Sequence, residues 1–233
     1  MRLLGVLGGM SWTSTEAYYR LLNLGVGERL GGLHSARIVL HSVDFDEIAV
    51  RQHAGDWEGT AQVLAEAAAG LAAAGADGLL LATNTMHKVA DVVQEASGLE
   101  LLHIADATAA AISARGLTRV GLLATAFTME ETFYVERLAR HGIEALVPDP
   151  VGRADVHRVI YDELVRDVVR PESRERYREV MADLVGRGAE GMILGCTEVG
   201  LLVGPDDTTV PTFDTCRLHA AAAVDWMLAE TSA

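Results

Sequence analysis

The sequence predicts an α/β fold of two pseudo-symmetric lobes, each a roughly four-stranded parallel sheet flanked by helices, with the active site between them. Short apolar runs alternate with segments of helical period, a pattern typical of parallel strands joined by right-handed crossovers. Two stretches also echo each other, GADGLLLATNT at residues 75–85 and GAEGMILGCTE at residues 188–198. Any α/β protein is partly self-similar because βα units are generic, but the shared Gly-Ala-acid-Gly is more specific than a hydrophobic period.

In the first half of the chain, each strand is predicted from a short apolar run that ends in glycine or polar residues. Gly8-Gly9 closes the first run, and Ser11 is the predicted N-cap of the next helix. A loop that begins at Ser42 is predicted to carry Arg51, Gln52 and His53. The predicted strands cover residues 3–7, 36–41, 79–81 and 101–104, and the later helices of this half cover 57–74 and 86–96.

The pattern restarts in the second half, where Thr125 follows the first strand at the place that Gly9 occupies in the first half. The predicted strands cover residues 119–123, 143–147, 192–194 and 210–213, and helices are predicted over 156–169, 173–186 and 218–228. We expect the terminal helix to return to the first lobe. The predicted N-terminal lobe is therefore residues 1–98 plus 211–233, and the C-terminal lobe is residues 99–210.

The composition excludes or disfavours several classes of protein. Half of the 233 residues are apolar and 22% are charged, which excludes global disorder. The net charge of −14 would repel nucleic acid and anionic membranes, so we expect neither as a partner. No apolar run approaches the roughly 18 residues of a membrane span. Two cysteines favour a reduced, cytoplasmic setting, and no Cys or His pair has zinc-ligand spacing, so no metal is expected.

Thr83 and Cys196 occupy equivalent places in the two echoed stretches, two residues after each apolar run. The carboxyl ends of strands are where open α/β sheets place ligand chemistry. A thiol near a helix N-terminus has a lowered pKa because unpaired N–H groups favour the thiolate, which can act as a nucleophile or a base. An inert cysteine at the end of a core strand gives the same pattern. The equivalent hydroxyl of Thr83 favours a functional role.

Polar residues next to these two are candidates for substrate contacts. Asn84 and Thr85 are expected to cap the following helix and also offer donors that suit a carboxylate. Thr125 and Ser11 lie at the matching first-strand ends of the two halves.

Four further residues have simpler interpretations. His87 lies four residues after Thr83, where it could polarise the hydroxyl, but the pattern fits a surface or supporting histidine better. Cys216 is predicted to be structural, and Asp106 and Asp214 are predicted to cap helices.

The sequence resembles the aspartate/glutamate racemase superfamily over essentially its full length, and is most similar to the broad-specificity or L-aspartate/glutamate-type amino-acid racemases. The likeness rests on LGGMSW, HSVDFDEI, TNTMHK and GCTE, at residues 7–12, 41–48, 83–88 and 195–198. It implies a homodimer that needs no cofactor or metal and acts on a small amino acid. Two catalytic residues, here Cys196 and Thr83, would face opposite sides of the substrate Cα, one removing a proton and the other returning one.

The resemblance also implies a set of substrate-binding residues. Hydrogen bonds to the α-carboxylate would stabilise the carbanion or enediolate that forms on deprotonation. The substrate-binding residues implied in this chain are Met10, Ser11, Gln52, Asn84, Thr85, Thr125, Thr197 and Glu198.

Two departures from the family pattern bear on activity. Thr83 replaces a cysteine, and a hydroxyl is a far weaker base than a thiolate, so we expect L-substrates to be deprotonated by Cys196 and D-substrates hardly at all. Val165 replaces the lysine of an Ile-Tyr-x-x-x-Lys helix that holds the side-chain carboxylate in aspartate racemases, and Arg51 would substitute only in part. Neutral or broad L-amino acids, such as homoserine, methionine or threonine, are therefore plausible substrates.

Two alternatives stay open beside the racemase. One is a superfamily decarboxylase or cis–trans isomerase that uses a single cysteine, and the other is a catalytically weak relative that only binds an amino acid. For the homodimer, the N-terminal helix with Tyr18, Tyr19 and Leu22 is the expected contact surface.

Overall fold

The computed structural model describes residues 1–229, which contain two parallel sheets of four strands each. The first sheet has the order β2-β1-β3-β4. Its strands are β1 (Leu4–Gly8), β2 (Ile38–Ser42), β3 (Gly78–Leu81) and β4 (Glu100–Leu102). The helices between them are α1 (Trp12–Leu30), α2 (Phe45–His53), α3 (Trp57–Ala73), a 3₁₀ helix (Thr85–Val89) and α4 (Ala90–Ser97).

The second sheet repeats the same strand order as β6-β5-β7-β8. Its strands are β5 (Arg119–Leu123), β6 (Glu144–Leu146), β7 (Met192–Leu194) and β8 (Thr212–Asp214). The helices are α5 (Ile104–Ser113), α6 (Ala126–Glu130), α7 (Thr132–Ala139), α8 (Pro150–Asp162), α9 (Pro171–Gly186), α10 (Val199–Leu202) and α11 (Thr215–Leu228), with 3₁₀ helices at Leu164–Arg166 and Pro205–Asp207. The predicted fold class, two four-stranded parallel sheets flanked by helices, is confirmed.

The described chain forms two compact units, one of Met1–His103 together with residues 219–229, and one of Ile104–Leu218. Each unit contains a complete sheet, because β4 pairs with β3 in the first unit and β8 pairs with β7 in the second. The boundaries expected from the sequence, after residues 98 and 210, would separate β4 and β8 from these partners. The terminal helix α11 begins in the second unit and continues into the first.

The inner strands of each sheet are apolar and buried, as expected where helices flank a parallel sheet. All residues of β1 and β3 in the first unit are buried, and so are those of β7 in the second. The edge strand β2 is half-exposed. Each unit has its own apolar core, built around Leu7, Leu64 and Leu81 in the first unit and Leu122 and Ile193 in the second.

Ser11 caps α1 as predicted: its hydroxyl accepts a hydrogen bond from the Ser14 backbone N–H. Just before it, Gly9 has φ +94°, and a Cβ there would overlap the carbonyl of Val43. The Gly9 N–H donates to Thr15 Oγ1 at 2.8 Å, and the Val43 N–H donates to the carbonyl of Gly8 at 3.1 Å. These contacts hold the loop after β1 against the loop after β2.

Residues 45–53 form helix α2, whereas the sequence predicted a loop there. Asp44 provides the cap, because its side chain accepts a hydrogen bond from the Asp46 N–H. Only Ile48 and Gln52 of this helix are buried, and so little burial leaves a weak helical pattern in the sequence. Of the helices that the structure describes, none is long and apolar enough to span a bilayer.

Candidate active site

In the first unit, five of the predicted site residues lie directly after the carboxyl ends of β1 and β3. These strands are neighbours, with Leu7 paired to Leu81, so the segments that follow them start side by side. The five residues are all buried, namely Met10, Ser11, Thr83, Asn84 and Thr85. The sheet topology therefore brings these residues together within the first unit.

Gln52 joins this group from a different element. It lies on α2, which follows β2, the other neighbour of β1. Its side chain is buried, and its Oε1 has no hydrogen-bond partner among the residues that the structure describes. A buried acceptor of this kind is costly to leave unpaired, so it suits a ligand donor such as an ammonium group.

His87 lies beneath the Thr83 segment and is not a surface residue. Its side chain is buried, and its Nδ1 lies 2.8 Å from the carbonyl oxygen of Thr83. The hydrogen bond therefore goes to the backbone of Thr83, where the sequence suggested an interaction with the hydroxyl. Burial and the nearby His103 and His219 rings hold the pKa of His87 well below its usual value, so the imidazole is neutral.

In the second unit, the other four site residues follow β5 and β7, which are also neighbours, with Leu123 paired to Leu194. Thr125 follows β5, and its hydroxyl lies 3.3 Å from that of Thr128. Cys196, Thr197 and Glu198 follow β7. This cluster has the same place in its sheet as the Thr83 cluster has in the first unit.

The Cys196 thiol donates a hydrogen bond to Glu198 Oε2 at 3.0 Å, and the Thr197 hydroxyl donates to the same oxygen at 2.6 Å. Burial raises the pKa of Cys196 well above its usual value, and the charge and hydrogen bond of Glu198 raise it further. Backbone N–H groups of Glu198 and Val199 act in the opposite direction but are outweighed. The expectation of a lowered thiol pKa is therefore wrong, because burial and the Glu198 carboxylate together outweigh the backbone N–H groups.

Two side chains of α8, Tyr161 and His157, border this cluster. Burial raises the pKa of Tyr161 to about 12, and electrostatic interaction with the nearby Cys196 and Glu198 adds to the effect. The ring centroids of His157 and Tyr161 are 4.7 Å apart, and the Ala126 N–H donates to His157 Nδ1 at 3.1 Å. Neither residue has a role that was predicted from the sequence. Their spacing of one helical turn was the available signal.

The two residues expected to govern side-chain recognition have other contacts. The guanidinium of Arg51 donates to Asp56 at 2.9 Å and to Glu47 at 3.3 Å. Val165, in the 3₁₀ helix Leu164–Arg166, is half-buried and packs against the apolar core of the second unit. Arg51 is thus already paired with carboxylates of its own unit.

Lys88, the single lysine of the sequence, lies next to His87. Its Nζ is 3.8 Å from the ring centroid of Trp57, a cation–π contact. Within residues 1–229, no group of three or more His, Cys, Asp or Glu side chains is arranged to hold a metal ion.

Asp214 accepts a hydrogen bond from the Arg217 N–H at 3.1 Å, as a helix cap does, whereas Asp106 lies in the first turn of α5 and pairs with Arg137. Cys216 is buried.

The prediction of a dimer surface on α1 is wrong for two of the three residues named for it. Tyr18 and Leu22 are completely buried inside the first unit, and only Tyr19 is exposed. Their helical spacing marked the apolar face that packs inward rather than a face left for a partner.

Comparison with known proteins adds to this geometry. The model of the Asp/Glu/Hydantoin racemase family matches residues 7–223. The crystal structure of "a putative Asp/Glu Racemase" from Yersinia pestis is 51% identical, with 98% of this chain and 100% of that chain covered and a TM-score of 0.93. An aspartate racemase homologue from Pyrococcus horikoshii OT3 is 31% identical over 97% and 99% of the two chains, with a TM-score of 0.83.

An aspartate racemase of Picrophilus torridus shares the fold at 21% identity, covering 97% of this chain and 94% of its own, with a TM-score of 0.76. The family match spans nearly the whole chain and includes both polar clusters. The chain belongs to the Asp/Glu/Hydantoin racemase family.

Proposed function

We propose that the protein is a cofactor-independent amino-acid racemase in which Cys196 removes the α-proton of L-substrates and Thr83 is the weaker second proton-transfer residue. One observation carries the proposal: Thr83 and Cys196 each lie two residues past the inner strand of a sheet with the same strand order. Family membership supports racemase chemistry at this pair.

The base in this proposal is the Cys196–Glu198 pair. In the free protein the thiol is neutral and already donates to the Glu198 carboxylate. Passing that proton to Glu198 leaves a thiolate, which then takes the α-proton of the substrate. The carbanion or enediolate needs hydrogen bonds to its α-carboxylate, for which we propose Asn84, Thr85, Thr125 and Thr197.

The threonine at position 83 makes the rates of deprotonation of L- and D-amino acids unequal. An alcohol is a much weaker acid than a thiol, so its alkoxide is hardly populated near neutral pH. Donation of a proton by the Thr83 hydroxyl leaves the same alkoxide, which must take up a proton again, so proton transfer at the Thr83 face is slow and exchange is faster at the Cys196 face. The enzyme therefore deprotonates L-amino acids in preference to D-amino acids.

For the substrate we propose a neutral or broad set of L-amino acids, including homoserine, methionine and threonine. Two contacts support this. The guanidinium of Arg51 pairs with Asp56 and Glu47, and the apolar Val165 stands where the resemblance places a lysine. Both terminal nitrogens of Arg51 are thus already paired, although its buried Nε has no partner among the described residues, and Val165 offers no charge to a second carboxylate on the substrate. We also propose a cytoplasmic homodimer with no nucleic-acid or membrane partner, in keeping with the net charge of −14.

The test is loss of the α-proton signal by NMR in deuterium oxide, with separate L- and D-forms of Asp, Glu, homoserine, Met and Thr. Wild type is compared with Cys196→Ser and Thr83→Cys. We expect exchange from L-substrates that Cys196→Ser abolishes, and a gain of exchange from D-substrates in Thr83→Cys. No exchange from any amino acid would remove the racemase proposal.

The single thiol of the pair also favours a second candidate, a decarboxylase or cis–trans isomerase of the same superfamily. Turnover of an activated malonate or of maleate, without amino-acid exchange, would support it. Binding of an amino acid with no exchange, even with enzyme in excess, would instead indicate a catalytically weak binding protein.

A further inference from the structure

The first unit contains a group of three histidines and a tyrosine, which we call the histidine cluster: Tyr18, His87 and His219, which are buried, and His103, which is half-buried. The ring centroids of His87 and His103 are 4.4 Å apart, and those of His87 and His219 are 5.8 Å apart. Burial holds the pKa values of His87 and His219 below the ordinary value, so these two imidazoles are neutral near pH 7. The cluster lies directly below the segment that carries Thr83.

The hydrogen bonds determine which nitrogen of His219 carries the proton. Its Nε2 lies 2.7 Å from the carbonyl oxygen of Leu102, which can only accept, so Nε2 is the donor. Its Nδ1 must then accept, and the Tyr18 hydroxyl donates to it at 2.9 Å. His219 is thereby held between α1 and the end of β4 in one orientation.

His87 has its own defined tautomer. The carbonyl oxygen of Thr83 can only accept, so the proton of His87 is on Nδ1, which donates at 2.8 Å. The His87 ring packs between this carbonyl and the rings of His103 and His219. The imidazole thus links the backbone of Thr83 to a rigid cluster that is anchored on α1, β4 and α11.

We propose that His87 is a positioning residue for Thr83, and that His219 and Tyr18 hold His87 in place. The inference rests on the proposed function, since it concerns how the Thr83 hydroxyl is aimed at the substrate carbon. Fixing the carbonyl of Thr83 fixes the peptide plane that precedes Asn84, and with it the direction of the Thr83 side chain. A misplacement of about 1 Å at such a group costs up to 100-fold in rate.

The test separates the two faces of the reaction. Exchange of the α-proton from L-substrates depends on Cys196 in the second unit, and exchange from D-substrates depends on residue 83. Wild type exchanges D-substrates slowly, so the histidine variants are made in the Thr83→Cys protein, where exchange from the D-side is fast enough to measure.

In this background we expect His87→Ala to lower D-side exchange by on the order of 10- to 100-fold, while L-side exchange stays within about threefold. His87→Asn keeps a donor near the position of Nδ1 and should recover most of the D-side rate. The more conservative His219→Gln retains a donor for the Leu102 carbonyl but loses the acceptor for Tyr18, and should show a smaller loss on the D-side. His34→Ala, at an exposed histidine of the same unit, is the control.

An equal decrease in the rate of α-proton exchange from both enantiomers, or no decrease from either, would overturn the inference while leaving the racemase proposal intact. If His87→Ala fails to fold, the His87→Asn and His219→Gln variants decide, because only a positioning role changes the D-side rate alone. Failure of the proposed function has a different signature: Thr83→Cys gains no D-side exchange and Cys196→Ser has no effect.

Discussion

The thiol of Cys196 donates a hydrogen bond to Glu198 Oε2 at 3.0 Å, so the protein holds its candidate base in the neutral form next to a carboxylate. A cysteine at the start of a short helix is commonly read as an activated thiolate. Here burial and the anionic neighbour together reverse that effect. In the proposed mechanism, activation requires movement of the proton to Glu198, so that the two residues act as one base.

Glu198→Gln should lower the pKa of Cys196, because it removes both the negative charge and the carboxylate acceptor that raise it. The measurement is the pH dependence of iodoacetamide alkylation at Cys196, followed by mass spectrometry of its peptide. Thr197→Val, which removes the other donor to Oε2 and changes no charge, is the control and should leave the thiol pKa high.

The same Glu198→Gln variant should lose L-side exchange even though its thiolate forms more easily, since the proton acceptor for the thiol is gone. An alkylation profile identical to wild type, or full retention of exchange, would contradict the paired-base mechanism.

Asp207→Asn should destabilise the protein by about 2 to 3 kcal/mol, because a buried carboxylate loses its charge-assisted bonds. Arg174 donates to Asp207 at 2.8 and 3.0 Å, Arg178 donates at 2.6 Å, and the Gly204 N–H donates at 2.9 Å. Burial alone would raise the pKa of Asp207, but these bonds lower it to about 2. Urea denaturation measures the change.

The contribution of Asp207 to the free energy of unfolding should decrease as pH falls. Its folded pKa lies below the ordinary 3.8, so its stabilisation is complete above that pH and is lost as pH falls toward about 2. Asp206→Asn, at the exposed neighbouring aspartate, is the matched control. Equal free energies of unfolding for the two variants at neutral pH would contradict the prediction.

His219 should make the protein less stable in mild acid. Burial lowers the pKa of His219 from 6.5 to about 4, so the unfolded chain binds a proton that the folded chain excludes between these values. The stabilisation is present above pH 6.5 and is lost as pH falls toward about 4, by about 3 kcal/mol in total.

The measurement is the free energy of unfolding by urea at several pH values across this window. His219→Gln cannot take up the proton, so its curve should be flatter than that of wild type. His34→Gln, at an exposed position, should keep the wild-type slope. Parallel curves for wild type and His219→Gln would show that His219 does not contribute.

Two glycine-to-alanine changes should act in opposite directions. Gly9 has φ +94° and its Cβ would overlap the carbonyl of Val43, so Gly9→Ala should destabilise the protein by roughly 2 to 4 kcal/mol. Gly70 lies in α3, where a Cβ would meet nothing within 4 Å, so Gly70→Ala should stabilise by about 0.5 to 1 kcal/mol. Thermal denaturation of the two variants checks both signs. A stable Gly9→Ala protein would show that the loop after β1 tolerates a side chain.

Among the inner strands, β5 and β7 are predicted most accurately from sequence, whereas the buried β1 is displaced by one residue. The bounds of β5 and β7 agree with the predicted 119–123 and 192–194, because an uninterrupted apolar run is expected to be buried in the sheet over its whole length. The edge strands β2 and β8 were displaced by a residue or two, since their half-exposed residues carry a weaker pattern. Helix α2 was missed for the same reason.

The site was predicted as a set of residues but not as a set of interactions. The hydrophobic runs were enough to place Thr83 and Cys196 just after the carboxyl ends of β3 and β7. The pKa of Cys196 depends on the rotamer of Glu198, which no local pattern encodes. The contact of Tyr18 with His219 joins residues 201 positions apart. Only the folded chain brings that pair together.

The cation–π contact of Lys88 with Trp57 has a practical consequence for labelling. Because the sequence contains one lysine, an amine-reactive reagent can modify a single side chain, which lies five residues beyond Thr83. Coupling there removes the positive charge from the indole face, so the emission of Trp57 should change as the label reacts. The protein therefore carries a built-in attachment point, with its own optical readout, beside the segment proposed for proton transfer.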